Sequence, residues 1–86
     1  MPFAGVIRNL VVESSYNTIP ANTVVSIYKN GVITAVTLTI GSEGVGIYSD
    51  LTHSVSVAVG DKICVGLDAG STGTYDMNFA FSYEVV

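Results

Sequence analysis

The chain has 86 residues, of which 12 % are charged against roughly 25 % in an ordinary soluble domain, with a mean hydropathy of +0.55 and a net charge of −4. This length sets a single domain, residues 1–86, near the lower limit for a core that folds unaided. Cys64 is alone and excludes an internal disulfide, His53 is alone and excludes a Cys/His zinc cluster, and three scattered cations on an acidic chain exclude a nucleic-acid partner.

Apolar and small residues alternate at period two along most of the chain, and no segment shows helical spacing with caps, so the expectation is all-β with no substantial helix. The first of seven predicted strands runs from about Gly5 to Glu13. It is apolar on both parities around Leu10, Val11 and Val12, as in a strand covered on both faces. A loop from Ser14 to Asn22 contains Ile19-Pro20, where proline excludes a central ladder position. Thr23 to Lys29 is the second strand. Asn30-Gly31 then turns the chain into the third, Val32 to Ile40, because both residue types tolerate the positive φ of a two-residue hairpin.

Gly41 to Gly44 forms the next loop. A short fourth strand is predicted over Val45 to Tyr48, and a fifth over His53 to Val59 with Val55, Val57 and Val59 on one face. Gly60-Asp61 reads as a second tight hairpin into the sixth strand, where Ile63, Val65 and Leu67 line up. Past the loop Gly70 to Gly73, the last strand is the most one-sided: Met77, Phe79, Phe81, Tyr83 and Val85 share a face opposite Asn78, Ala80, Ser82 and Glu84. That face is expected to anchor the core or a subunit contact. Short strands at regular spacing with turn signals predict an antiparallel β-sandwich or jelly roll of about seven strands.

So apolar a chain exposes much apolar surface as a monomer, and contiguous apolar patches mark interfaces. A homo-oligomer is therefore expected, with a trimer favoured. No run approaches the roughly 20 apolar residues of a membrane helix, so no membrane partner is expected. The start Met1-Pro2-Phe3 lacks a basic n-region, no secretory leader is expected, and no Asn-x-Ser/Thr sequon occurs.

Groups with chemical potential each have a plainer reading. Asp68-Ala69-Gly70 distantly resembles an aspartic-protease loop, but Ala69 lacks the hydroxyl that such loops share, so a turn is expected there. His53, beside Thr52 and Ser54, is the only candidate for a triad base, and no Gly-x-Ser-x-Gly elbow accompanies it. Asp50, Asp61, Asp68 and Asp76 fall in separate predicted turns, whereas calcium takes about 6–8 converging oxygens. The expectation is no enzyme, no metal and no cofactor. Tyr16, Tyr48 and Tyr75 lie in or beside predicted loops, where a tyrosine stacks on a sugar or fills an interface, so they are the candidate loop contacts. Cys64 has parity opposite to Ile63 and Val65 and is expected to be a small buried thiol.

A longer pattern runs through these elements. It comprises Gly5, Ile7, Asn9, Leu10 and Val12, then Lys29-Asn30-Gly31, then Leu38-Thr39-Ile40. It continues with Gly46, Ser49 and Asp50, with His53 to Val57, with Gly60-Asp61, and with an aromatic closing strand. In this it resembles the small jelly-roll modules of tailed-phage virion proteins, of the head decoration, head fibre and tail-fibre tip type. Their form is similar to the trimeric knobs of the tumour-necrosis-factor and C1q kind. The resemblance implies one or two further strands before Gly5, where only Met1 to Ala4 stand. Either the jelly roll is a reduced one, or a neighbouring subunit completes it.

The resemblance implies a non-enzymatic structural protein of the virion, made in the host cytoplasm. It would self-associate and dock on a phage particle as a capsid decoration or fibre component, with a major capsid protein or another virion protein as partner. A glycan- or receptor-binding tip module is the alternative.

Overall fold

A computed structural model describes residues 2–85; Met1 and Val86 lie outside the described residues. Six strands form: β1 Gly5–Asn17, β2 Thr23–Lys29, β3 Val32–Ile40, β4 Gly46–Val57, β5 Ile63–Ala69 and β6 Tyr75–Val85. They make two three-stranded antiparallel sheets, ordered β4-β1-β6 and β3-β2-β5. The long strands β1 and β2 are central. Ile7, Leu10, Val12 and Val57 of the first sheet and Val25, Ile27, Val36, Leu38 and Ile40 of the second bury their side chains in one shared apolar cluster.

Six strands stand where seven are expected because the predicted fourth and fifth are one. Between them, Ser49 to Thr52 stay in β4 as an irregularity of the ladder with β1: Arg8 pairs with Ser54, but Leu10 pairs with Asp50. Leu51, Thr52 and His53 of β4 therefore lie against Asn9 alone of β1. The inward face of β4 changes parity there, from Val57 and Val55 to Asp50 and Tyr48. A period-two reading breaks at such a bulge and reports two strands.

The same irregularity explains β1. Ile7 is buried at an odd position, and Leu10, Val12 and Ser14 at even ones. The switch falls on Asn9, which has φ +58° and hydrogen-bonds the Ser82 hydroxyl through Nδ2 at 3.3 Å. Asparagine is among the few residues that occupy this left-handed region readily. The apolar run Leu10-Val11-Val12 thus marks a bulge and not burial on both faces, and β1 continues past the expected end at Glu13 to Asn17.

Of the two predicted hairpins one exists. Asn30 (φ +53°) and Gly31 (φ +80°) form the two-residue turn joining Lys29 to its ladder partner Val32. Gly60-Asp61 makes no hairpin, since β4 and β5 belong to different sheets and the intervening segment crosses between them. That crossover still needs a turn: the Asp61 amide donates to the Ala58 carbonyl at 3.1 Å, with Gly60 at φ +90°. Asp61 Oδ2 in return accepts the Ala58 amide at 2.7 Å. Asn30 ties the hairpin to this crossover, with Nδ2 donating to Asp61 Oδ1 at 3.0 Å and Oδ1 accepting the Lys62 amide at 2.9 Å.

At the opposite end the predicted loop around Ile19-Pro20 carries the chain from β1 to β2, and Ile19 is buried as a plug. Its amide donates to Asn17 Oδ1 at 2.9 Å, and its carbonyl accepts the Glu43 amide at 2.8 Å. The β1–β2 and β3–β4 connections are thereby fastened to each other.

Candidate interaction surface

The two sheets have two pairs of neighbouring edges, and these are treated differently. On one side β3 lies close to β4; on the other, β5 and β6 make no comparable contact. One seam is closed and the other is open.

A carboxylate closes the first. Asp50 faces inward opposite Leu10 and is 7 % exposed. Its Oδ2 accepts the Thr37 amide of β3 at 3.1 Å, reaching across from one sheet to the other. Its Oδ1 accepts the amides of Thr52 and His53 at 3.1 and 3.2 Å and the Thr52 hydroxyl at 3.1 Å. His53 Nδ1, as the protonated nitrogen, donates to Oδ2 at 2.8 Å. Burial by itself raises the Asp50 pKa. The amides of Thr37, Thr52 and His53 and the imidazole outweigh it and hold the carboxyl far below the usual carboxylate range. The bulge in β4 folds back on this one side chain. Asp followed by Thr and His at the second and third positions is an Asx-turn signal present in the sequence and not used there.

Asp50 and His53 have the geometry of the orienting half of a catalytic triad, but no serine or threonine beyond Thr52 bonds the ring among the described residues. The other aspartates are dispersed: Asp61 in the crossover, Asp68 on β5 opposite Val24, and Asp76 on β6. Among the described residues no group of three or more His, Cys, Asp or Glu side chains converges as metal ligands would. Asp68-Ala69 lies in a strand and not in the expected turn.

The open seam is lined by the inward faces of β5 and β6. Val25 and Ile27 pair with Leu67 and Val65, which turns Ile63, Val65 and Leu67 toward the core. Ile7, Val12 and Ser14 pair with Tyr83, Phe79 and Met77. The one-sided face of the last strand is therefore the core-facing side of its sheet. Met77 and Tyr83 pack against the buried cluster and are half-buried. Phe79 and Phe81 remain 37 % and 38 % exposed, because no strand of the other sheet lies over them. The Tyr83 hydroxyl donates to the Phe3 carbonyl at one end of the seam.

The three loop-contact candidates do not meet on one surface. Tyr16 is in β1 and Tyr75 in β6, paired with Asp76 and Asn17 respectively, so they point to opposite faces of the sheet. Tyr48 is half-buried against the core on β4. Cys64 is exposed, on the outer face of β5 opposite Tyr28, which corrects the expected burial. Its parity is as expected; the outer face of that sheet has nothing over it at this position.

Compared with protein-family models, with curated proteins and with solved structures, the chain shows no match.

Proposed function

We propose that this chain is a non-enzymatic structural protein of a phage particle, a β-sandwich of jelly-roll type that acts by self-association and by docking on other virion proteins such as a major capsid protein. The open, apolar seam carries the reading. A half-exposed row of Phe79 and Phe81 beside Met77 and Tyr83 is surface that water penalises and a protein neighbour relieves, at about 25 cal/mol per Å2 covered.

Connectivity supports the jelly-roll part. Only β2–β3 stays within a sheet, and every other connection crosses between the two. The orders β4-β1-β6 and β3-β2-β5 are those of an eight-stranded jelly roll without its first two strands. Those two strands would lie beside β6 and β5, at the open seam. The resemblance likewise implies one or two further strands before Gly5, or a neighbouring subunit that completes the roll.

Mechanically, such a protein clamps its neighbours by burying apolar area, and no bond is broken in a partner. Purification of the source particle tests this, with immunogold electron microscopy to place the protein on it. The expected result is a fixed stoichiometry on intact particles. Finding the protein only free of particles, or recovering it on a glycan array as an isolated lectin, would overturn the reading.

A further inference from the structure

We propose that Asn30 is a deamidation site guarded by the fold: the folded hairpin withholds it, and reaction during an opening makes that opening permanent. The chemistry is the chain's own and is independent of the virion reading.

Of the asparagines, Asn30 alone precedes a glycine; the others precede Leu10, Thr18, Thr23 and Phe79. Asn30 and Gly31 are both exposed, and nothing lies within 4 Å of where a Cβ on Gly31 would stand. The Gly31 nitrogen is thus the least hindered backbone nucleophile beside a carboxamide in this chain. In the reaction that nitrogen attacks Asn30 Cγ, the Cγ–Nδ2 bond breaks, and ammonia leaves with the Gly31 amide proton. Water then opens the succinimide ring. Opening at Cγ leaves aspartate at position 30, and opening at the main-chain carbonyl leaves isoaspartate.

Two features block this attack in the folded protein. The φ values of +53° at Asn30 and +80° at Gly31 match a type I′ turn, which sets ψ of Asn30 to about +30°. That torsion holds the Gly31 nitrogen roughly 150° around the Cα–C bond from Cβ, whereas ring closure needs the two nearly eclipsed. The carboxamide is fixed as well. Its Nδ2 donates to Asp61 Oδ1 at 3.0 Å, and its Oδ1 accepts the Lys62 amide at 2.9 Å. The Asn30 amide adds a third tie, donating to the Lys62 carbonyl at 2.7 Å. Attack therefore requires the hairpin to leave the crossover.

The product does not restore the joint. A carboxylate oxygen replaces Nδ2 opposite Asp61 Oδ1, so a donor facing an acceptor becomes two acceptors of like charge. Isoaspartate also lengthens the main chain within a two-residue turn whose geometry is tightly specified. A reversible opening is thereby recorded in the covalent chain, at the crossover that links the two sheets.

The test incubates the full chain in mildly alkaline buffer, with and without unfolding urea, and follows each asparagine by peptide mass mapping. In urea Asn30 should convert ahead of Asn9, Asn17, Asn22 and Asn78. In the folded protein its conversion should be at least tenfold slower. Asp61→Ala, checked for retained β-structure by circular dichroism, should remove most of that protection. Independently of that variant, Asn30→Asp should unfold at lower urea than wild type at neutral pH. Equal rates at Asn30 with and without urea would overturn the guard, as would a folded Asp61→Ala protein that converts no faster. Another asparagine leading in urea would overturn the site. An Asn30→Asp midpoint equal to that of wild type would overturn the permanence of the opening.

Discussion

Asp50 concentrates more consequence than any other single residue. It accepts amide hydrogen bonds from Thr37 on one sheet and from Thr52 and His53 on its own strand while almost fully buried. Hydrogen bonds to a charged group are worth about 1.5–3 kcal/mol each, and a buried carboxylate leaves its donors stranded if it is removed. Asp50→Asn presents one carbonyl oxygen where two oxygens now accept, and should lower stability by about 2–4 kcal/mol in urea unfolding. Because the folded-state carboxyl is held below its unfolded value of 3.8, the contribution is complete above that value and is lost progressively as pH falls from there toward the folded-state value. Asp61, held low first by the Ala58 amide and next by Asn30, adds to the acid slope in both proteins. The difference between wild type and Asp50→Asn therefore isolates Asp50, and it should shrink between pH 6 and pH 2. Parallel curves over that range would refute the assignment.

Thr23 provides the opposite case at the same scale. It is fully buried, and its hydroxyl has no hydrogen-bond partner among the described residues. Thr23→Val keeps the shape and removes the orphaned hydroxyl, so stability should rise by about 1 kcal/mol. Thr37→Val should do the reverse, because the Thr37 hydroxyl bonds Ser26 Oγ at 2.7 Å and the Val25 carbonyl at 3.2 Å. Calorimetry of the two variants decides the matter by the sign of the change in Tm.

Among the elements, the β2–β3 hairpin is the one whose chemistry can be read locally. Its turn has positive φ at both Asn30 and Gly31, and a Cβ at position 31 would meet nothing within 4 Å. Any penalty for Gly31→Val is thus backbone strain alone, which for a β-branched residue at positive φ should reach about 1–2 kcal/mol. Gly41 is equally open and lacks a positive φ, so Gly41→Val should stay within about 0.5 kcal/mol. Equal denaturation midpoints for the two would remove the turn assignment. The bulges in β1 and β4 resist local reading, since Asn9 and Asp50 take their roles from partners on other strands.

Considered whole, the molecule is asymmetric: one seam is sealed by a carboxylate and the other left open. Its function as proposed depends on the open one. Phe81→Ala removes a ring that is 38 % exposed, so its folding penalty falls below the roughly 3–5 kcal/mol of a fully buried phenylalanine. The larger loss should appear in self-association, measured by sedimentation. Asp68→Asn, on the outer face of β5, should leave both folding and assembly unchanged. Loss of assembly in Asp68→Asn, with Phe81→Ala assembling normally, would show that the surface in use lies on the other side of the sheet.

By itself the sequence determined the all-β class, the Asn30-Gly31 hairpin, the alternation of β2, β3 and β5, and the common face of Met77, Phe79, Phe81 and Tyr83. These follow from local rules: side chains alternate at period two, and glycine accepts a positive φ. Tertiary structure decided the strand count, the sheet to which each strand belongs, the crossover at Gly60-Asp61, and the role of Asp50. Each of those depends on which strand lies beside which. The same Gly-Asp turn serves a hairpin or a crossover, and the same run Leu10-Val11-Val12 serves a two-sided strand or a bulge. Only the pairing of distant segments, which buries Asp50 against Thr37 and leaves Phe81 uncovered, distinguishes the two.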